Sequence, residues 1–505
     1  METGPLVAIG LDAFEVELVD RWSAAGELPN LAALRRQGRW WRLASEWPGI
    51  VFPPWHSFVA HRGVGEHGVL YLKSWFPEEG RIGFNPRWRA SESCFWQAFV
   101  ESGLAVATID VPFAPPLERN PAQLVISGWQ THDEVVAGFR PAHLEQGLRQ
   151  QLGEPVLGQE DYGHVSRVAL LALRDRCLAA ARQFRGLVLR ALAEREWDLV
   201  LAVVGAAHRA GHYLWDPGLL ARSGRIDQLA ADALASGLRL VYRAVDEALG
   251  AIRAALPPRA TLALFALHGM GAETPWTERL PLLLDFLSRG EGAGQVAAAR
   301  GWLARARRSR LALAAARKLP QRLQEAMAGF TSRRLYDWSR TRAFAMPSEG
   351  TGCIRVNLRG RDRFGIVAPG AEYRDVLEQL AEGLSGLREL ASGEPLVARI
   401  GFVDELVGES APARPLLPDL AVQWRELPSG CARGIRTADG RVLDFGGPLY
   451  ALSGRTGAHR PDGFLLVSGP AASAVPDGDY STRDLPTLLR RLLGCRPARP
   501  VSGTS

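Results

Sequence analysis

Four of the ten histidines in this 505-residue chain stand where short apolar runs begin or end. His208 and His212 follow DLVLAVVG, His268 follows TLALFAL, and His459 comes just before FLLVSG. One carboxylate, Asp12, closes the first such run, LVAIGLD. Imidazole and carboxylate are borderline and hard donors, suited to zinc, manganese or iron. His208 and His212 are four apart, so on a helix they share a face. Each residue taken alone has a plainer explanation. Asp12 could cap the helix that follows it, and a histidine before a glycine is an ordinary loop residue. The metal reading gains weight only if the runs are neighbouring strands.

The chain is patterned to make them so. Apolar runs at 6–12, 104–113, 124–129, 198–207, 261–269 and 464–469 read as buried strands, and between them lie helical stretches such as EVELVDRWSAAG and LRLVYRAVDEALGAIRAAL. Strands alternating with helices predict an α/β fold with a large, mostly parallel central sheet and helices on both faces. In such sheets ligands bind at the carboxyl ends of the strands, which is where Asp12, His208, His212 and His268 fall. Residues 283–335 lack a strand pattern and read as a helical insertion. A final helix, DLPTLLRRLLG, starts at Asp484.

Composition narrows the class. Hydrophobic residues make up 47% and charged residues 23% of the chain, enough for a sizeable core. Tryptophan is abundant, with 15 in all, and Trp22, Trp40, Trp41, Trp47, Trp55, Trp75, Trp88 and Trp96 crowd the first hundred positions. An aromatic-rich core is the expectation, with a hydrophobic substrate channel as the alternative. The net charge of +6 comes largely from arginine. The Arg-rich 305–322 stretch (Arg305, Arg307, Arg308, Arg310, Arg317, Lys318, Arg322) predicts a basic amphipathic surface helix capable of weak contact with an anionic surface. No nucleic-acid motif accompanies it. Five scattered cysteines without CxxC spacing argue against a disulfide framework or a structural zinc site. No leader-like start and no membrane-length apolar run are evident, so the cytoplasm is the expected location.

Read in order, the segments resemble the alkaline phosphatase superfamily, in its branch of type I phosphodiesterases and nucleotide pyrophosphatases. IGLDAFEVELVDRWSAAGELPNLAALRRQG is similar to that family's opening strand, metal-binding Asp and helix. PGIVFPPWHSFVAHRGVGEHGV resembles its nucleophile segment, and DLVLAVVGAAHRAGHYLW the strand followed by Asp-x-x-x-His. ALFALHGMG resembles Ser-Asp-His-Gly, YDWSRTRAFAMPSEGTGCIRVNLRGRDRFGIV a segment with Asp-Trp-Ser and Asn-Leu-x-Gly-Arg, and GAHRPDGFLLVSGP the late Gly-Thr-His-x-x-Asp-Gly. The resemblance implies one alkaline phosphatase-like domain over 1–505, with helical insertions at about 130–195 and 283–335 setting specificity. It also implies two metals that polarise phosphoryl oxygens and a Thr or Ser that forms a covalent intermediate.

Three positions depart from that pattern. The nucleophile position is Val51, which has no hydroxyl. The Asp of Asp-x-x-x-His is His208, and the Asp of Ser-Asp-His-Gly is Leu267. One metal site would keep only Asp12 and His268. The other would be His208, His212 and His459, three neutral imidazoles with an open fourth position, which suits one catalytic zinc rather than two. Ser57 and His56 lie near Val51 but match no nucleophile position. Cys495-Arg496-Pro497-Ala498-Arg499 matches a short sulfatase core but sits in a C-terminal Pro-Arg tail, far from the expected strand–helix turn. Two functions stay open. The first is metal-dependent hydrolysis of a phosphate ester by metal-bound water, acting on a small anionic ligand. The second is a catalytically inactive pseudoenzyme serving as a ligand-binding or scaffold module.

Overall fold

The computed structural model describes residues 4–47, 50–51, 53–130, 137–158, 165–288, 336–407, 416–427 and 430–494. The Arg-rich 305–322 stretch, most of the 283–335 insertion and the Cys495 tail lie outside these residues. Nine strands form the central sheet, in the order Tyr480–Ser481, Arg39–Ala44, Gly463–Ser468, Thr261–Ala266, Leu6–Leu11, Leu199–Val204, Val106–Ile109, Leu124–Ser127 and Gly138–Arg140. The five strands from Thr261–Ala266 to Leu124–Ser127 run parallel to one another. Gly463–Ser468 is antiparallel to both its neighbours, and the edge strand Gly138–Arg140 is antiparallel to Leu124–Ser127.

The continuous apolar runs follow from burial on two faces. Successive side chains of a strand point to opposite sides. In Leu6–Leu11, Val7, Ile9 and Leu11 enter one core, while Leu6 and Ala8 enter the other. The first face is covered by helices Val16–Ala24, Pro29–Gln37, Arg167–Glu194 and Gly237–Ala255, the second by Pro54–Ala60, Gln97–Glu101 and Leu485–Leu492. Each fully buried Leu, Val or Ile contributes roughly 1.5–3 kcal/mol, so the six wholly buried residues of Leu6–Leu11 anchor the sheet centre.

Several elements were not evident from the pattern. Arg39–Ala44 pairs beside Gly463–Ser468 although two of the six residues of its sequence, RWWRLA, are charged. A separate antiparallel sheet of Ala343–Met346, Thr351–Val356, Leu420–Trp424 and Val397–Phe402 packs with helices Leu280–Ser288 and Ala371–Ser385 around its own core. Within 130–195, the helix Arg167–Glu194 buries Ala180, Ala181, Phe184, Leu187 and Val188 and forms part of the layer over the sheet. The early tryptophans divide. Trp41, Trp47, Trp75 and Trp96 are core residues, whereas Trp55 and Trp88 line a pocket at the carboxyl edge of the sheet. Among the described residues no helix is long and apolar enough to cross a membrane.

Candidate functional site

The three central parallel strands end side by side. Leu11 is in register with Val204, and Gly10 with Phe265. The residues that follow them, Asp12, His208, His212 and His268, are therefore delivered to one edge. Helix Ala206–Leu214 starts directly after its strand and carries His208 and His212 on one face. His459 arrives differently. Because Gly463–Ser468 runs antiparallel, the residues before it, not after it, lie at this edge. A two-stranded ribbon fixes it there, with Gly269–Ala272 paired to Gly457–Arg460 and Met270 opposite His459.

Glycine makes the docking of this ribbon possible. A Cβ on Gly457 would stand 2.2 Å from the Gly211 carbonyl oxygen, and one on Gly211 would stand 2.9 Å from Met270. Two polar contacts complete the joint. Thr456 N donates to the His212 carbonyl at 2.8 Å, and His212 Nδ1 lies 3.0 Å from the Gly457 carbonyl.

The three imidazoles meet. His208 Nε2 is 2.8 Å from His459 Nε2 and 3.0 Å from His212 Nε2, and ligand atoms of all three lie within 4.8 Å of one another. A carbonyl only accepts, so the contact with Gly457 places a proton on His212 Nδ1 and leaves Nε2 with its lone pair. His208 Nδ1 lies 3.3 Å from Asp12 Oδ2, and a proton on Nδ1 would bare Nε2 there as well. Two lone pairs 3.0 Å apart repel unless a cation lies between them. Burial, reinforced by the His268 and His208 imidazoles and opposed by Asp12, holds His459 well below the usual histidine range and so in its neutral, ligating form. A tetrahedral zinc with Zn–N bonds of about 2.0–2.1 Å needs N···N edges of about 3.3 Å, a small opening from the spacing present. The donor set fits such an ion.

Asp12 and His268 stand just outside this trio. Asp12 is 2% exposed, and Oδ1 accepts from Trp55 Nε1 at 2.8 Å and lies 3.2 Å from His268 Nε2. Trp55 can reach it because position 10 is glycine; a Cβ there would stand 2.7 Å from the indole. Facing His208 Nδ1, Asp12 has the position of a carboxylate that orients a ligating imidazole. Val51 and Leu267 both line a smaller cavity that also touches His268, so apolar side chains occupy the surroundings of the second site.

Ser57 makes an apparent triad with His67 and Glu46. Val69 N donates to His67 Nδ1 at 3.1 Å, so the proton of this ring is on Nε2, 3.0 Å from Ser57 Oγ. Ser57 in turn donates to Glu46 at 2.7 Å. The imidazole donates to the serine and does not take its proton, so Ser57 is a locked structural group. His56 stacks on Phe113 at 4.1 Å, and burial pushes it down to about 3.

A pocket opens over the imidazoles. Its lining is divided between ionisable groups (Asp12, the four histidines, Glu349 and Arg455) and an apolar set that includes Val51, Trp55, Leu70, Tyr71, Trp88 and Phe113. Glu349 and Arg455 were not singled out from sequence. Glu349 sits in an unremarkable loop, MPSEG, and only its arrival beside His212, at 3.8 Å, marks it.

Comparisons with known proteins bear on the fold and the family. Curated proteins give no match. Phosphonoacetate hydrolase from Sinorhizobium meliloti 1021, in complex with phosphonoformate, is similar with a TM-score of 0.53 at 13% identity, over 97% of this chain and 95% of that one. Its phosphonoacetate complex gives 0.52 at 12% over the same shares. Human ectonucleotide pyrophosphatase/phosphodiesterase 5 gives 0.44 at 12%, over 99% and 97%. At such identities the hydrolase establishes the fold alone, an alkaline phosphatase-like α/β architecture. Residues 6–402 match the family described as type I phosphodiesterase/nucleotide pyrophosphatase, and the chain belongs to that family.

Proposed function

We propose that this protein hydrolyses a phosphate ester at a single-metal centre held by His208, His212 and His459, with water as the nucleophile. The observation that carries this reading is the convergence of the His208, His212 and His459 imidazoles, whose ligand atoms lie within 4.8 Å of one another, with burial holding His459 neutral. A bound zinc would polarise the phosphoryl group and lower the pKa of water to about 7. The rest is done by the chain. Asp12 orients His208, and the Gly457 carbonyl orients His212. His268 lines the same pocket, with its Nε2 facing Asp12 at 3.2 Å. The aromatic half of the pocket takes the organic part of the ester and excludes water from it. A phosphodiester or phosphomonoester suits this division. Direct attack by water removes the need for the hydroxyl that Val51 lacks.

One observation favours a second reading. Val51 and Leu267 put two apolar side chains where the family pattern has a nucleophile and a carboxylate, as in a module that binds a phosphorylated ligand without cleaving it. Metal analysis of protein purified without chelator, followed by hydrolysis of bis(p-nitrophenyl) phosphate with added zinc or manganese, separates the two. The hydrolase is expected to hold about one equivalent and to lose both metal and turnover in His212→Ala. Protein that holds no metal and shows no turnover is the binding module.

A further inference from the structure

We propose that Glu349 is the proton acceptor for the attacking water and that Arg455 is its positioning residue. This inference rests on the hydrolytic reading above. Two carboxylates line the pocket, Asp12 and Glu349. Asp12 is committed, with its oxygens facing Trp55, His268 and His208. Glu349 is differently placed. Its Oε1 is 3.8 Å from His212 Nε2 and is held by the guanidinium of Arg455. Among the described residues, Oε2 has no partner.

The distance decides between two roles. A fourth ligand would have to lie near all three imidazole nitrogens, yet Glu349 is outside the set whose ligand atoms come within 4.8 Å of one another. A carboxylate close to one nitrogen and farther from the others stands one water molecule away from a shared ion, which is the reach a general base needs.

The loop is built to keep it there. The Glu349 carbonyl accepts from Thr351 N at 2.7 Å, and the Gly350 carbonyl accepts from Thr277 Oγ1 at 3.2 Å. Gly350 turns the chain at φ 70°, a left-handed conformation that glycine adopts without strain. The Arg455 side chain, only 6% exposed, comes from the segment that leads into the His459 ribbon. Base and imidazoles therefore share one frame. In the step itself, a water O–H bond breaks and its proton passes to the Glu349 carboxylate. The freed electron pair forms the new O–P bond as the ester P–O bond breaks, and the departing oxyanion is released to solvent.

The test uses the full chain with zinc and bis(p-nitrophenyl) phosphate. Glu349→Gln is expected to lower kcat by about 10²–10⁴-fold while zinc affinity, measured by calorimetric titration, stays within about threefold. The cobalt-substituted protein should keep its absorption spectrum in Glu349→Gln, with the pH midpoint of its alkaline change displaced. Glu349→Asp should recover part of the rate, and Arg455→Lys should recover more than Arg455→Met. If Glu349→Gln loses zinc affinity tenfold or more, the residue is a ligand and the proposal is overturned. If it binds zinc normally and keeps its kcat, the proposal is overturned while the three-imidazole reading stands. If His212→Ala binds zinc and turns over as the parent does, that reading falls and takes this one with it.

Discussion

Replacing Asp12 with asparagine tests the arrangement of the site through one atom. Asp12 is buried and faces three nitrogens: Trp55 Nε1 at 2.8 Å, His268 Nε2 at 3.2 Å and His208 Nδ1 at 3.3 Å. Asparagine can keep the carbonyl oxygen on the indole, so the tryptophan retains its acceptor. The amide nitrogen is then turned towards His208 Nδ1. A donor there draws the imidazole proton to Nε2 and removes the lone pair that points at the other two rings. Loss of such an orienting carboxylate costs about 10–100-fold in metal affinity, which is about 1.4–2.7 kcal/mol. Because the tautomer changes as well as the charge, the upper end is expected. The assay is calorimetric zinc titration against a competing chelator, with thermal unfolding of the metal-free protein as control. Asp12→Ala should differ in kind, since it strands the buried indole N–H at a cost of about 1–3 kcal/mol of stability. Zinc affinity unchanged within about threefold in Asp12→Asn would refute the reasoning, because His208 would then need no carboxylate behind it.

Three further outcomes are expected. Val51→Thr with Leu267→Asp restores a hydroxyl and a carboxylate beside Asp12 and His268, so metal content should rise from about one to about two equivalents; content that stays at one shows that the second site is lost for other reasons. Folding holds His56 at about 3 and His67 at about 4, mainly through burial. Both are neutral in the folded protein, whereas the unfolded chain takes up their protons below about pH 6.5. Their effect is therefore absent above that pH, and stability falls as pH drops from there towards about 4. Between pH 7 and 5 the parent should lose about 2 kcal/mol more than His56→Gln in urea unfolding, and equal losses would contradict the burial argument. Gly457→Ala forces a Cβ against the Gly211 carbonyl, so the ribbon should lift and zinc binding weaken at least as much as in Asp12→Asn; normal binding would mean that the joint is not what places His459.

Much of this site was legible because the sheet is regular. Buried parallel strands announce themselves as unbroken apolar runs, and the residue after each run is at the ligand edge by topology alone. That logic found Asp12, His208, His212 and His268. His459 was found because it stands just before the run FLLVSG, and that strand runs the opposite way. Arg39–Ala44 was missed because Arg39 and Arg42 interrupt it, leaving RWWRLA without a long apolar run. Glu349 and Arg455 were invisible for a different reason. They are contributed by turns of an antiparallel sheet and its neighbours, and no periodicity ties a turn residue to a partner a hundred positions away. The protonation states of His67 and Ser57 were equally beyond reach, since they depend on one backbone N–H, that of Val69.

The joint between Gly211 and Gly457 carries a consequence for how the protein matures. His208 and His459 are 251 positions apart, and His212 is 245 from the carbonyl that orients it. Contacts of such sequence separation form late, after shorter loops have closed. A growing polypeptide that has already built Leu6–Leu11, Leu199–Val204 and Thr261–Ala266 still presents two imidazoles, not three. If the three imidazoles hold a metal as proposed, ion uptake would report that the last ribbon has docked, and a chain arrested before that point would be left as an unloaded scaffold.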